Sequence, residues 1–161
     1  MNMVFRIHVD SGRSPAPVKV VREFVTNSAE ETISTGQEFS TLLHSGQLIV
    51  LRGNLGAGKT TLVKGIAEGF GAAAEEDVTS PTFNLVHEYR GAKVTIFHID
   101  LYRIDTERGL MTLGIEDLRS EPGAILLVEW GEKFEEIKSH SDGEIAIEIL
   151  GETQRRISLI L

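Results

Sequence analysis

The sequence predicts an α/β fold in which helices cover both faces of a mixed central sheet. An apolar run at 47–52 precedes a glycine-rich stretch, and apolar residues at helical spacing follow it. A second wholly apolar run, 124–128, is typical of a strand buried on both faces. Residues 144–150 and 155–161 alternate apolar and polar side chains, which predicts a C-terminal antiparallel hairpin.

Composition places the chain among ordinary globular proteins. It has 161 residues, of which 41% are hydrophobic and 25% charged. The absence of cysteine excludes disulfides, thiolate zinc sites and cysteine nucleophiles, and it fits a cytoplasmic location. The net charge of −8 argues against broad nucleic-acid binding by this chain alone. No apolar run approaches the roughly 20 residues that span a bilayer, so no membrane association is expected.

Two regions are predicted along the chain. Residues 1–17 form an N-terminal extension that ends in a stretch rich in glycine, serine and proline, and residues 18–161 form a single domain. Ser28 and Glu31 match a capping box, so a helix should follow to about His44. Further signals predict strands at 4–9, 19–26, 84–90 and 92–99, short helices within 106–120, and a helix at 133–137.

The stretch 53–61, GNLGAGKTT, matches the phosphate-binding pattern G-x-x-x-x-G-K-[ST] and lies between a predicted strand and a predicted helix. Such a loop turns backbone N–H groups toward phosphate oxygens, and the helix N-terminus adds partial positive charge. The expected fold is therefore that of a P-loop NTPase. The expected nucleotide-binding residues are Gly53, Leu55, Gly56, Ala57, Gly58, Lys59, Thr60 and Thr61, with Lys59 on the β- and γ-phosphates and Thr60 on Mg²⁺.

A second anchor for Mg²⁺ is expected at the end of a core strand. Asp100 follows the apolar run VTIFHI, and Glu129 follows AILLV. One of these carboxylates should hold Mg²⁺ directly or through water, and the other is available to orient the attacking water. Each also has an ordinary alternative as a capping or solvated acid.

Four neighbouring features are less specific. The chain lacks the guanine signature N-K-x-D, so ATP is the default nucleotide. Trp130 either flanks the base or packs in the core. His98 is a proton relay or, more commonly, a packed histidine, and Arg103 is an internal arginine finger or a surface ion-pair residue. Thr82, within the turn-rich segment 75–84, stands where GTPases place the threonine that senses the γ-phosphate.

Taken together, these motifs resemble the TsaE family of bacterial ATPases, which are needed for threonylcarbamoyladenosine modification of tRNA. The matching elements are E-E-T at 30–32 with Gly36, GNLGAGKTT at 53–61, SPTF at 80–83, HIDLYR at 98–103 and E-W at 129–130. The ordered set is far more specific than the P-loop alone. Asn54 departs from the family pattern, which usually has aspartate there.

The resemblance implies an Mg²⁺-dependent ATPase that acts with the partner proteins TsaB and TsaD and meets tRNA indirectly. It implies that Thr60 and Glu129 are Mg²⁺ ligands, that Asp100 is the Walker-B acid and that Thr82 belongs to a mobile switch loop. It also places Thr32 near the adenine. Two other functions stay open: a small-molecule kinase built on the same P-loop, and a scaffold in which bound nucleotide only sets conformation.

The first prediction concerns segment 75–84. Because a γ-phosphate with Mg²⁺ can order a switch loop, amide hydrogen exchange across this segment should be slower with a non-hydrolysable ATP analogue than with ADP. Thr82→Ala should reduce the difference and leave ADP affinity nearly intact. Equal exchange in both nucleotide states would make the segment an ordinary turn.

Overall fold

The computed structural model describes residues 2–7, 20–74, 77–79 and 84–161. It contains an eight-stranded sheet and five α-helices within that part of the chain. The strands are β1 (Asn2–Ile7), β2 (Val20–Thr26), β3 (Leu48–Arg52), β4 (Val86–Arg90), β5 (Thr95–Asp100), β6 (Ala124–Glu129), β7 (Gly143–Ile149) and β8 (Arg155–Ile160). The helices are α1 (Ala29–Ser40), α2 (Lys59–Gly69), α3 (Glu107–Met111), α4 (Ile115–Arg119) and α5 (Glu135–His140).

The sheet is mixed, with strand order β1-β2-β8-β7-β3-β6-β5-β4. Strands β7, β3, β6 and β5 pair in parallel and form its centre, whereas the outer pairs are antiparallel. The two predicted hairpins, β4–β5 and β7–β8, are both present. The predicted α/β fold is therefore confirmed, and the central parallel strands bring their carboxyl ends to one edge of the sheet.

Both faces of the central strands are buried, which explains why β3 and β6 are apolar up to their last residues, Arg52 and Glu129. One core lies under α1 and α2 and includes Phe39, Leu62 and Leu127. The other lies under α3, α4 and α5 and includes Phe97, Leu126 and Ile137. Alternate residues of a strand point to opposite faces, so each central strand contributes to both cores.

Helix α1 begins at the predicted capping site. The Ser28 side chain accepts a hydrogen bond from Glu31 N at 3.1 Å, and Glu31 in turn accepts one from Asn27 N at 2.8 Å. The helix ends at Ser40, four residues before the predicted end at His44. There, the Ser40 and Thr41 hydroxyls donate to the carbonyls of Gln37 and Glu38, and such local bonds compete with continuation of the helix.

Two other predictions differ from the structure in detail. The helix expected at 133–137 is divided into a 3₁₀ turn, Gly131–Lys133, and helix α5. Part of the predicted extension, Asn2–Ile7, pairs with β2 at the edge of the sheet, while the domain boundary at residue 17 stays a prediction. In the described part of the chain, no helix has the length and apolar character needed to cross a bilayer.

Helices α1 and α2 approach each other closely at two glycines. A methyl group on Gly36 would overlap the carbonyl oxygen of Leu62, and one on Gly65 would overlap that of Ile33. Since both obstacles are backbone atoms, no side-chain rotation would relieve them. Glycine at both positions therefore lets α1 pack tightly against the helix that follows the phosphate-binding motif.

Accordingly, Gly65→Ala should destabilise the protein even though alanine favours helix. The helix preference is worth about 1 kcal/mol, whereas overpacking costs typically 1–3 kcal/mol and here needs the backbones to separate. We expect a net loss of about 2 kcal/mol in the free energy of unfolding, measured by urea denaturation. Gly151→Ala is the control, because its new methyl group would meet nothing closer than the Gln154 Cβ at 3.9 Å. Equal stability of the two variants would contradict the prediction.

Candidate functional site

The phosphate-binding motif forms a tight loop between the central strand β3 and helix α2. We call residues 53–58 the glycine loop. Gly56 and Gly58 have φ values of 76° and 107°, a region that side chains other than glycine rarely adopt. Gly58 is also the N-cap of α2, and its carbonyl accepts from Leu62 N at 2.9 Å. Glycine is thus required at positions 56 and 58, where the chain reverses into the helix.

Lys59, the first residue of α2, is buried and directs its ammonium back across the glycine loop. Its Nζ donates to the carbonyl oxygens of Gly53 at 2.6 Å and Asn54 at 3.1 Å. The same Nζ lies 4.8 Å from the centre of the Trp130 ring, which is within range of a cation–π contact. The lysine charge is therefore held at the loop by backbone oxygens and an aromatic face.

The two predicted carboxylates lie side by side. Asp100 and Glu129 occupy paired positions of the parallel strands β5 and β6. The side chains of Glu129 and His98 are almost completely buried, and His98 Nε2 lies 2.8 Å from Glu129 Oε1. When Glu129 is ionised, Nε2 must carry the hydrogen and donate it. The histidine is therefore packed, as the sequence favoured, and it also fixes one oxygen of Glu129.

Burial raises the pKa of Asp100 above its ordinary range, and the neighbouring Glu129 charge raises it further. Opposing contributions come from Tyr102 N, which donates to Asp100 Oδ1 at 2.9 Å, and from the nearby His98 ring and Lys59 ammonium. The ionised form of Asp100 is thus under electrostatic strain in the free protein. A cation between the two groups would relieve it.

Lys133 holds the backbone that follows Asp100. Its Nζ donates to the carbonyls of Leu101 at 3.2 Å, Tyr102 at 3.0 Å and Ile104 at 2.7 Å. It also contacts the Asp105 carboxylate at 3.1 Å. The Lys133 ammonium therefore orders the loop that follows β5 and keeps Tyr102 N in position to donate to Asp100.

Trp130 adopts an unusual backbone conformation directly after Glu129. Its φ is 61°, and it is the one non-glycine residue with positive φ in the described part of the chain. Such a conformation is costly for a bulky residue and is found preferentially at functional sites. The Trp130 ring packs against Tyr102, with ring centres 5.2 Å apart, and so stands between that loop and Lys59.

Most of the predicted site residues line one cavity of about 320 Å³, the carboxylate cavity. Its lining comes from the glycine loop, the start of α2 and the ends of β5 and β6. The predicted residues that line it are Leu55, Gly56, Ala57, Gly58, Lys59, Thr60, Thr61, Asp100, Glu129 and Trp130. Tyr102, which no sequence signal assigned to the site, completes the wall.

Thr32 lies elsewhere, in a neighbouring cavity of about 370 Å³, the Thr32 cavity. Gly56, Ala57, Gly58 and Thr61 line both cavities, so the glycine loop separates them. The Thr32 hydroxyl is buried and 3.1 Å from that of Thr26. Trp130 lines the carboxylate cavity and not the Thr32 cavity.

Gly53, Thr82 and Arg103 are the predicted residues that remain. Gly53 contributes its carbonyl to Lys59 and does not line either cavity. Thr82 lies outside the described residues. Arg103 is exposed, and both of its predicted roles, arginine finger and surface ion-pair residue, stay predictions. No sequence pattern indicated Lys133 or Arg155, which contacts the glycine loop from β8.

A glycine loop between a central parallel strand and a helix, with carboxylates at neighbouring strand ends, defines an α/β protein of the phosphate-binding-loop class. The family model described as "Threonylcarbamoyl adenosine biosynthesis protein TsaE" matches residues 26–157. The chain therefore belongs to the TsaE family, as its motifs indicated.

Individual relatives agree with this assignment. The chain is 37% identical over 142 residues to the tRNA threonylcarbamoyladenosine biosynthesis protein TsaE of Aquifex aeolicus, which covers 88% of this chain and 98% of the relative. It is 34% identical to the protein of the same name from Treponema pallidum, over 84% of this chain and 97% of the relative. The crystal structure of Bacillus subtilis YdiB superposes with a TM-score of 0.68 at 28% identity, covering 90% of this chain and 88% of that one.

The strain on Asp100 predicts a pH-dependent stability. Because its pKa is higher in the folded chain than in the unfolded one, ionisation of Asp100 lowers the free energy of unfolding as the pH rises. Asp100→Asn removes that charge and keeps an oxygen for Tyr102 N. In EDTA, the variant should melt above the parent at pH 7.5, and the difference should shrink as the pH falls through the folded-state pKa of Asp100.

Circular dichroism melts between pH 4 and 8 measure this difference. The control is Asp77→Asn, which changes an exposed aspartate and should melt at nearly the same temperature as the parent throughout this pH range. A parent that is as stable as Asp100→Asn at pH 7.5 would contradict the electrostatic account of the site.

Proposed function

We propose that this chain is the ATP-binding and ATP-hydrolysing component of the machinery that forms threonylcarbamoyladenosine in tRNA. It acts with TsaB and TsaD partners, which would carry most of the contact with tRNA, in keeping with the net charge of −8. Membership of the TsaE family supports the pathway, since relatives are named for tRNA threonylcarbamoyladenosine biosynthesis. The expected cytoplasmic location follows from that role.

The observation that carries the proposal is the lining of the carboxylate cavity. Lys59, Thr60, Asp100 and Glu129 come from three different elements, yet they face the same space beside the glycine loop. The Lys59 ammonium, now satisfied by two loop carbonyls, can exchange them for oxygens of the β- and γ-phosphates. This combination of groups is what transfer of a phosphoryl group to water requires.

The donor set also fits Mg²⁺. Two carboxylates and the Thr60 hydroxyl are hard oxygen ligands, and the strain on Asp100 is the kind that a divalent cation relieves. Among the described residues, no group of three acidic, histidine or cysteine side chains could hold a metal ion by itself. Mg²⁺ usually keeps several waters and binds through one or two carboxylates together with substrate phosphates, so it does not require such a group.

In the proposed site each residue has a distinct task. Bound Mg²⁺ would neutralise charge that develops on the phosphates. Thr60 and Glu129 would hold the ion, and His98 keeps one Glu129 oxygen fixed by its 2.8 Å hydrogen bond. Asp100 lies beside them at the cavity, where it would support the ion through water or orient the attacking water.

The adenosine is proposed to occupy the Thr32 cavity. This cavity shares Gly56, Ala57, Gly58 and Thr61 with the carboxylate cavity, so a nucleotide can extend around the glycine loop from one to the other. Thr32, buried on α1, would then lie near the base. Trp130 would lie at the phosphate end, against Lys59.

The proposal is tested by Lys59→Ala, assayed for ATP turnover with TsaB and TsaD present. Removing an ammonium aimed at developing phosphate charge should lower turnover by about 10²- to 10³-fold. The control is Lys64→Ala, which removes a lysine from the same helix without touching the carboxylate cavity. Near-parental turnover by the Lys59 variant would overturn the assignment of the site.

The same assay separates the competing functions. The parent is measured alone, with small acceptor molecules, and with the two partner proteins. Stimulation by the partners supports the proposal, whereas phosphate transfer to a small acceptor would make the chain a kinase. Nucleotide binding without turnover under any of these conditions would leave a scaffold role.

A further inference from the structure

Arg155, at the start of β8, joins the glycine loop to a distant turn. Its Nε donates to the carbonyl of Ala57 at 2.9 Å, and its Nη2 donates to that of Gly56 at 3.3 Å. Its Nη1 lies 2.9 Å, 3.0 Å and 3.3 Å from the carbonyls of Gly151, Gln154 and Glu152 in the β7–β8 turn. The guanidinium is therefore surrounded by backbone oxygens from segments almost 100 residues apart.

These contacts constrain the peptide groups that would face phosphate. The carbonyl of Ala57 and the N–H of Gly58 belong to one planar trans unit, so they point in opposite directions. A donor that holds the Ala57 carbonyl on one side of the loop consequently directs the Gly58 N–H to the other side. Arg155 Nη2 also bonds the Gly56 carbonyl, but the N–H of that peptide unit, on Ala57, is already bonded to the Asn54 carbonyl at 3.0 Å. The N–H that Arg155 directs toward a phosphate is therefore that of Gly58.

Arg155 contacts the glycine loop from the side of the Thr32 cavity, opposite the carboxylate cavity. It lines the Thr32 cavity and is absent from the described residues that line the carboxylate cavity, where Lys59 and both carboxylates lie. Gly56 and Gly58 both have positive φ, so the loop contains the most permissive residues of the chain. A permissive loop binds phosphate well only when something else removes its freedom before the ligand arrives.

We propose that Arg155 is a positioning residue of the nucleotide site, whose guanidinium fixes the glycine loop in the conformation that receives the phosphate chain. This inference rests on the proposed function, because it concerns the same site. The planar guanidinium is essential to this role, since its Nε and Nη2 donors must reach the glycine loop while Nη1 reaches the β7–β8 turn. A lysine would keep the charge and lose this bridge.

The test uses isothermal titration calorimetry to measure the affinity for two probes, Mg-ADP and Mg-tripolyphosphate. The temperature is one at which thermal melts show that every variant is folded. The variants are Arg155→Ala, Arg155→Lys and the matched control Arg156→Ala. Arg156 is the next residue along β8, and it pairs with Glu148 and Glu23 away from the glycine loop. A merely structural arginine would change melting temperature without changing the affinity of the folded protein.

We expect Arg155→Ala to bind both probes about 10-fold or more weakly, by similar factors, as is typical when a supporting partner of a binding group is removed. Arg155→Lys should also bind weakly, with more than half of the loss in log affinity seen in Arg155→Ala. Arg156→Ala should bind within about 2-fold of the parent, the scale of a distant surface change. Should Arg155→Ala fail to fold, the lysine variant decides, because it keeps the charge and the aliphatic stem.

Three outcomes overturn the inference while leaving the proposed function intact. Parental affinity in Arg155→Ala would show that the loop needs no support. Parental affinity in Arg155→Lys would reduce the role to charge. Loss of ADP binding with tripolyphosphate binding unchanged would make Arg155 a direct contact of the nucleoside. A parent that binds neither probe would instead overturn the proposed function, and this inference with it.

Discussion

The parallel register of β3, β6 and β5 is the constraint on which the site depends. Glu129 is in register with Leu51 on one side and with Asp100 on the other, so three strands end in one row. The glycine loop leaves β3 just beyond that row, and Lys59 therefore starts α2 beside the two carboxylates. A shift of one residue in either pairing would turn Asp100 or Glu129 to the opposite face of the sheet.

This arrangement of the site lowers the stability of the folded chain, and the rest of the fold offsets the loss. Two carboxylates lie together where burial raises the pKa of Asp100, and Trp130 holds a positive φ immediately after Glu129. The apolar cores on both faces of the sheet stabilise β5 and β6 strongly enough to keep these groups in place. Conflict of this kind, between local preference and the folded arrangement, is characteristic of sites built for binding and chemistry.

Two long basic side chains, Lys133 and Arg155, hold the loops around the site in place through hydrogen bonds to backbone oxygens. Lys133 binds three carbonyls and one carboxylate of the segment after β5, and Arg155 joins the glycine loop to the β7–β8 turn. Each residue brings several backbone oxygens to one cation, which orders a loop without any regular secondary structure. Lys59, Asp100 and Glu129 at the carboxylate cavity are thus flanked by two basic residues, Lys133 and Arg155, that bind the surrounding backbone.

The sequence alone determined the features that depend on short-range patterns. The glycine motif, the apolar runs of β3 and β6, the Ser28 cap and the two hairpins are local signals, and each appears in the structure where it was predicted. The placement of Asp100 and Glu129 at strand ends was equally readable, because it follows from where each apolar run stops.

Only the tertiary structure decided which of these residues meet. The bond between His98 and Glu129 joins positions 31 apart in the chain, and that between Arg155 and Ala57 joins positions 98 apart. The close crossing at Gly36 and Gly65 is likewise invisible in either helix by itself. Periodicity shows that a side chain is buried or exposed, but its partner depends on strand order and register, which are set by the packing of the whole chain.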